Sequence, residues 1–364
     1  MSDLHPPSAP YSRAAGQFLI KHMSAVTQLS DYFPNPAGIT VAGCQLAAEY
    51  SAAHKGLSLL VMVDGQIVCE DYPHGHPERA HDLASGTKSF AGILAIAAAA
   101  DGRLGLDEPV CGTLTEWRDD PRRSRITTRH LLQLVSGLES GGKHGYLPTY
   151  AEALQARAMF PPGEHFLYGA APFQAFGEVL RRKLTPLYPD PLAWAEERLF
   201  EPLGLRLGPW KRGRDHLPHL AFGAALAARE WAKFGELIRD SGRWEGAEIL
   251  PAPLLNQCFH GTQDNPAYGL GWWLNVPVGD SPRAGLRQQT FGTDDLTTAP
   301  LVPRDLVFAA GAGKQRLYVS RQKHLVVVRQ AGGILEALAN GERGGFSDRE
   351  FLDRLLGGLA ESPV

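Results

Sequence analysis

Strand-forming sequence stands at both ends of this chain and helix-forming sequence fills the stretch between. The two ends must therefore meet in space. Near the start, Leu57–Val63 and Gln66–Glu70 are two β-rich runs joined by Asp64-Gly65, a dipeptide that tolerates positive φ at both turn positions. Near the finish, Arg316–Val319 and His324–Arg329 flank the polar Arg321-Gln-Lys turn, and Asp305–Ala309 before them reads as a third strand of the same sheet. From about Gly105 to Asn265 the pattern becomes helical, in Thr128–Leu134, Pro172–Lys183 and Ala225–Asp240, with connections rich in Pro and Gly. Each terminal group of strands alone would leave an open edge and an uncovered face, so pairing between them is expected. The expected fold class is α/β (α+β), an antiparallel sheet flanked by helices and built from both chain ends. Residues 1–104 and 266–364 would form a discontinuous domain, 105–265 a helix-rich insert, and a cleft would lie where they meet. A last helix is expected after Ser347, with Ser347 and Glu350 as a capping box and Phe351, Leu352, Leu355, Leu356 and Leu359 as its apolar stripe.

A chain of 364 residues buries a core large enough to need neither disulfides nor a structural metal. Its 36 basic residues against 39 acidic ones give no electrostatic reason to expect nucleic acid or an anionic membrane as partner. The four cysteines, Cys44, Cys69, Cys111 and Cys258, lie far apart with no CxxC, and read as buried thiols in a reducing compartment. The first twenty residues lack a basic segment followed by an apolar one, so no signal peptide is expected there. The longest apolar run, Ala91–Ala100, is too short to span a bilayer. A cytoplasmic location is the expectation, with no cofactor and the oligomeric state left open.

The feature richest in chemistry is Ser85-Gly-Thr-Lys88, an S-x-x-K that opens an apolar run without a polar face, ending at Asp101-Gly102. A serine in the first turn of a buried helix sits beside free N–H groups and the positive end of the helix dipole, which stabilise an alkoxide or oxyanion. Lys88, three residues on, shares that face, and burial there lowers an amine's pKa. A second match, Ser140-Gly-Gly-Lys143, lies in a Gly-rich stretch without an apolar helix behind it and reads as chance.

The segment Asp82-Leu-Ala-Ser-Gly-Thr-Lys-Ser-Phe90 resembles the nucleophile box of the serine β-lactamase and penicillin-binding-protein superfamily. The likeness is to its class C-like branch, which includes carboxylesterases and 6-aminohexanoate-dimer hydrolases. Ile126–Leu138 is similar to that family's "ITxRHLLxxxSGL" segment, and Phe160–Tyr168 to its "PPGxxFxY" approach to the second box. Leu199–Gly204 and Tyr268–Trp273 resemble further landmarks, in the expected order. The resemblance implies Ser85 as the acylated nucleophile, Lys88 as its activator and Tyr168 as partner base and later acid. Phe308–Val319 is similar to the family's "SGxxGQxIYV" strand and turn. This implies an oxyanion hole from the N–H groups of Ser85 and Ala312, with Gly313 the alternative one residue on, and places Gly311, Gly313 and Ala170 against the substrate.

Two departures narrow the substrate. Where many relatives have Tyr-x-Asn, this chain has Tyr168-Gly-Ala170, which removes a side-chain amide. Where β-lactamases and transpeptidases have Lys-Thr-Gly or His-Thr-Gly, it has Ala309-Ala-Gly311, which removes the cation and hydroxyl that hold a carboxylate. Lys314 or Arg316 are the nearby substitutes. The expectation is a serine hydrolase acting on a small-molecule ester or open-chain amide, with little β-lactam turnover. The rivals are a non-catalytic binding or regulatory protein on the same fold, and a true β-lactamase. No G-x-S-x-G elbow is present, which speaks against an α/β-hydrolase. His74, His76 and His81, and His216-x-x-His219, make no metal spacing and read as polar loop residues. Arg118, Arg122, Arg123, Arg125 and Arg129, interrupted by Asp119 and Asp120, read as a solvated face. Trp272 and Trp273 read as packing with a share in the cleft wall.

Overall fold

The structure, a computed structural model, describes residues 35–74, 76–141, 147–276, 301–340 and 345–357. The N-terminal segment, Lys143 and Leu359 lie outside the described residues.

Six antiparallel strands form the main sheet: β1 (Gly56–Val63), β2 (Gln66–Asp71), β3 (Trp273–Leu274), β4 (Val307–Gly311), β5 (Gln315–Ser320) and β6 (Leu325–Ala331). Their order across the sheet is β2-β1-β6-β5-β4-β3, so the N-terminal hairpin and the C-terminal strands share one sheet through the β1–β6 ladder. The turn between β1 and β2 has φ of 50° at Asp64 and 76° at Gly65, the backbone that the Asp-Gly pair was expected to supply. Asp305–Ala309 extends to a strand ending at Gly311 and pairs with β5 as anticipated.

Labelled in chain order, the longer helices are α1 (Val41–Ala53), α2 (Thr87–Ala100), α3 (Ala171–Leu184), α4 (Ala228–Arg239), α5 (Ile334–Asn340) and α6 (Asp348–Leu355). Every residue of β5 and β6 is buried, because helices cover both faces of the sheet. Helix α4, from the helix-rich stretch, packs on β6, β5 and β1. The opposite face meets α1 and α6 and is polar in places that hydropathy does not reveal. Arg316 and Asp348, almost wholly buried, form an ion pair at 2.7 Å, and the Tyr318 hydroxyl donates to the same carboxylate at 2.5 Å. Arg316 is therefore committed to the core, which removes it as a substitute for the missing substrate cation. Arg329 donates to Ser51 Oγ and to the carbonyls of His54 and Lys314, with its guanidinium 3.9 Å from the Phe346 ring centroid.

The capping box at Ser347 is only half formed. Ser347 Oγ accepts from the Glu350 N–H, but the Glu350 carboxylate accepts from the Tyr50 hydroxyl, and that hydroxyl in turn accepts the Ser347 N–H at 2.8 Å. Tyr50 thus ties α1 to α6. Tyr50→Phe removes that hydroxyl from both contacts and is expected to lower the unfolding free energy by about 1–3 kcal/mol, measured by chemical denaturation.

Two further expectations are refined. His219 lies in a loop as expected, but it is buried there, with Nδ1 2.7 Å from Gln174 Nε2. The arginine cluster is less a solvated face than a set of clamps. Arg122 and Arg123 donate to the carbonyls of Ala158, Met159 and Ala156, and Arg129 pairs with Asp107 at 2.6 Å. All four cysteines are free thiols, but only three are buried as expected; Cys111 is partly exposed. Among the described residues no helix is long and apolar enough to cross a membrane.

Candidate active site

Helix α2 is buried from Thr87 to Ala98 and ends at Ala100, with Gly102 at φ 66° beyond it, as its sequence predicts. Its entry is tighter than a simple helix start. Ser85 sits in a single 3₁₀ turn, Ala84–Gly86, with Ala84 held at φ 48°, a costly conformation for a residue with a side chain. The turn is clamped on three sides. Thr87 Oγ1 donates to the Ala84 carbonyl and accepts from the Ala224 N–H, and the Leu83 N–H donates to the Ala224 carbonyl. The Trp231 ring packs against Gly86.

This geometry brings Lys88 onto Ser85. Lys88 Nζ donates to Ser85 Oγ at 3.0 Å and to the Ala221 carbonyl at 3.1 Å. The ammonium group is also 4.8 Å from the Tyr168 ring centroid and 5.6 Å from that of Phe173. Lys88 is 4% exposed, and burial lowers its pKa to about 7. An amine in that state takes up or releases a proton near neutrality, at hydrogen-bond distance from a half-buried hydroxyl.

Tyr168 stands on the connection leading into α3. Its ring stacks with Trp273 at 6.0 Å between centroids and meets the edge of Tyr268 at 6.2 Å; Trp273 itself is buried, so the packing share of its expected role is what the structure shows. The Ser140 carbonyl accepts from the N–H groups of Ala170 and Ala171 and so anchors the start of α3. That is the role of Ser140, the first residue of the second S-x-x-K. Ala170, 8% exposed, occupies the position of the missing amide. Gln174, one turn further along, does not replace that amide. It donates to the Pro148 carbonyl and accepts from the Leu220 N–H, holding the segment whose Ala221 carbonyl meets Lys88.

On the other side of Ser85 lies the end of β4. A Cβ on Gly311 would lie 2.0 Å from the Leu83 carbonyl oxygen and 3.1 Å from the Gly86 nitrogen, so the absence of a side chain lets the strand touch the turn that holds Ser85. Gly311 pairs with Gln315 across a three-residue turn, in which Gly313 has φ 76° and Lys314 φ 61°. Gly313 abuts Ile334 of α5. Among the described residues no group of three or more His, Cys, Asp or Glu side chains could hold a metal ion.

The family model described as Beta-lactamase matches residues 44–331, most of the chain. The chain belongs to the beta-lactamase family. Solved structures agree on the fold. A putative 6-aminohexanoate-dimer hydrolase from Bacillus anthracis superposes with a TM-score of 0.62 at 17% identity, covering 80% of this chain and 78% of that one. A putative beta-lactamase from Bacteroides dorei gives 0.64 at 18% identity over 86% and 98% of the two chains. EstCE1, described as a hydrolase with promiscuous acyltransferase activity, gives 0.64 at 17% identity over 86% and 98%. No curated protein matches the chain. Membership in the beta-lactamase family, with hydrolases and a penicillin-binding-protein homologue sharing its fold, supports a place among the serine hydrolases of that superfamily.

What sequence reasoning missed in this site is mostly backbone. The Ala221 carbonyl that orients Lys88 lies in an apolar stretch, Leu220–Ala225, where no side chain announces a role. Phe173 carries no motif either. Gln174 stands four residues after Ala170, a helical spacing that could have flagged it.

Proposed function

We propose that this beta-lactamase-family protein is a serine hydrolase that forms an acyl-enzyme on a carboxylic ester or open-chain amide. The observation that carries this reading is the 3.0 Å contact between Ser85 Oγ and Lys88 Nζ, with the amine buried and its pKa brought down to about 7. A buried lysine on a serine has no structural need to be so weakly basic. It is the state required of a proton acceptor at neutral pH.

In the first step Ser85 Oγ forms a bond to the substrate carbonyl carbon while its proton moves to neutral Lys88. The carbonyl oxygen takes the negative charge and is met by the N–H groups of Ser85 and Ala312. The carbon–oxygen or carbon–nitrogen bond to the leaving group then breaks, and the leaving group takes a proton through Tyr168. Water attacks the acyl-enzyme by the same steps reversed, releasing the carboxylic acid and restoring Ser85. Ala312 is taken as the second donor because it directly follows Gly311, whose backbone lies against the Ser85 turn, with Gly313 the alternative. Ala309 and Ala310 supply no cation or hydroxyl for a substrate carboxylate, and Ala170 supplies no amide. An uncharged ester or amide therefore suits the cleft better than a β-lactam.

A fluorophosphonate probe is expected to add one phosphonyl group to the protein, located on Ser85 by peptide mass spectrometry, and Ser85→Ala is expected to take up none. Absence of labelling in the wild type, with a ligand still raising its melting temperature, would support the non-catalytic alternative instead.

A further inference from the structure

A cavity of about 470 Å³ lies beside the candidate site and plays no part in the chemistry just described. Leu57, Ile334 and Leu335 give it apolar walls, the backbone of residues 331–333 forms part of its surface, and His81, Asp82 and Glu336 stand around it. Its size falls within the range of small-molecule pockets.

The sheet register places it relative to Ser85. Gly311, which touches the nucleophile turn, pairs with Gln315, and the Gln315 side chain is hydrogen bonded to both the N–H and the carbonyl of Ala331, a wall of the cavity. The cavity thus sits at the same end of the sheet as Ser85, two strand spacings across from β4, or roughly 10 Å. It is also joined from the other direction, since Asp82 lies three residues before Ser85. Gly313 and Ile334, in contact with each other, stand between the two.

Its chemistry selects among substrates. Asp82 is engaged by Lys211 at 2.7 Å and Glu336 by Lys55 at 2.5 Å, so both carboxylates are already matched. Burial lowers the pKa of His81, which keeps the imidazole neutral at pH 7. The lining therefore carries no uncompensated charge for an ionic group to meet. Meanwhile Leu335 is 82% exposed and Leu338, one turn further along α5, is 50% exposed. Large apolar side chains this bare beside a cavity have surface available for a ligand to cover.

Resting on the serine hydrolase reading, we propose that this cavity is the acyl-chain site: it takes the uncharged, apolar, medium-length acyl group of the ester or amide attached to Ser85. Tyr168, the proposed proton donor to the leaving group, lies against Lys88 and Trp273, neither of which lines the cavity. The acyl side then runs the opposite way, past Ala312 and Gly313 toward Ile334. An octanoyl chain has the length to bridge the gap.

Gly332 provides the test. A Cβ there would meet only the Lys55 carbonyl at 3.9 Å, and its φ lies outside the left-handed region, so Gly332→Leu puts bulk on the cavity wall without backbone strain. The readout is the ratio of kcat/KM for 4-nitrophenyl octanoate to that for 4-nitrophenyl acetate. The wild type is expected to favour octanoate, and Gly332→Leu to lower the ratio by about ten-fold. Leu335→Ser, at a position too exposed to matter for folding, is expected to lower it in the same direction. If acetate is turned over and both variants keep the ratio within about two-fold of wild type, the acyl site is refuted while the hydrolase reading stands. If the wild type turns over neither ester and Ser85 resists a fluorophosphonate, the hydrolase reading is refuted and the acyl site falls with it.

Discussion

Lys88→Met is expected to reduce kcat/KM on 4-nitrophenyl esters about a thousand-fold while the protein stays folded. Lys88 Nζ lies within hydrogen-bond distance of Ser85 Oγ, and its lowered pKa is what a base at neutral pH needs. Lys88→Arg separates the two things a lysine can do there. A guanidinium keeps the positive charge but does not give up its proton, so an arginine that only had to supply a field would retain activity. The proton-acceptor role predicts that arginine is as damaging as methionine. Retention of a tenth or more of wild-type kcat in Lys88→Arg would assign Lys88 an electrostatic role instead. In the wild type, kcat/KM is expected to rise through pH 7 as the amine loses its proton.

The same lysine makes a stability prediction of known sign. Its folded pKa of about 7 lies below the ordinary value of 10.5, so between those limits the unfolded chain binds a proton that the folded protein does not. Stability then increases with pH across that window, and the penalty of burying the charge is complete below about pH 7. A tenfold change in proton affinity is worth about 1.4 kcal/mol, which puts the penalty at a few kcal/mol. Lys88→Met removes it. The variant is expected to be more stable than wild type near pH 6, with the difference shrinking toward pH 10, as read from denaturant midpoints. A gain in stability accompanied by loss of turnover is what a residue kept for chemistry rather than folding should show.

The sheet was legible in the sequence because its signals are local. Asp64-Gly65 specifies its own turn, and β5 and β6 carry strand-forming runs, Leu317–Val319 and Leu325–Val328, at their centres. The joining of the two ends followed from the need to cover edges, and the β1–β6 ladder meets that need. Ser85 and Lys88 were legible for a related reason: three residues apart at a buried helix entry, they have to face each other. What stayed hidden depends on contacts between distant segments. Helix α4 was placed in the helical stretch by its position in the chain, yet it packs on β6, and periodicity alone does not say which neighbour an apolar stripe will choose. Arg316 was weighed as a substrate cation because strand alternation does not reveal that Asp348, thirty-two residues later, neutralises it inside the core. The Ala221 carbonyl and the strained φ of Ala84 are backbone features, and a sequence reports on backbone only where glycine or proline is required.

Gly311 shows that dependence most sharply, and Gly311→Ala is expected to lower kcat on esters by about 10²–10³-fold. The added methyl would sit 2.0 Å from the Leu83 carbonyl oxygen, too close to persist, and that oxygen belongs to the backbone. Either β4 or the nucleophile turn must move. The turn is held by Thr87, Ala224 and Trp231, whereas β4 leads into a three-residue hairpin connection, so the strand end is the softer partner. Its retreat carries the Ala312 N–H away from Ser85 and leaves the Ser85–Lys88 contact in place. The variant should therefore still react with a fluorophosphonate, more slowly than wild type, and should still show the rise in activity through pH 7. Stability should fall by about 1–3 kcal/mol, the usual result of adding a methylene-sized group to a packed site. A Gly311→Ala protein with wild-type kcat would mean that the strand end does not contribute to stabilising the oxyanion, and the second donor would have to be sought elsewhere around Ser85.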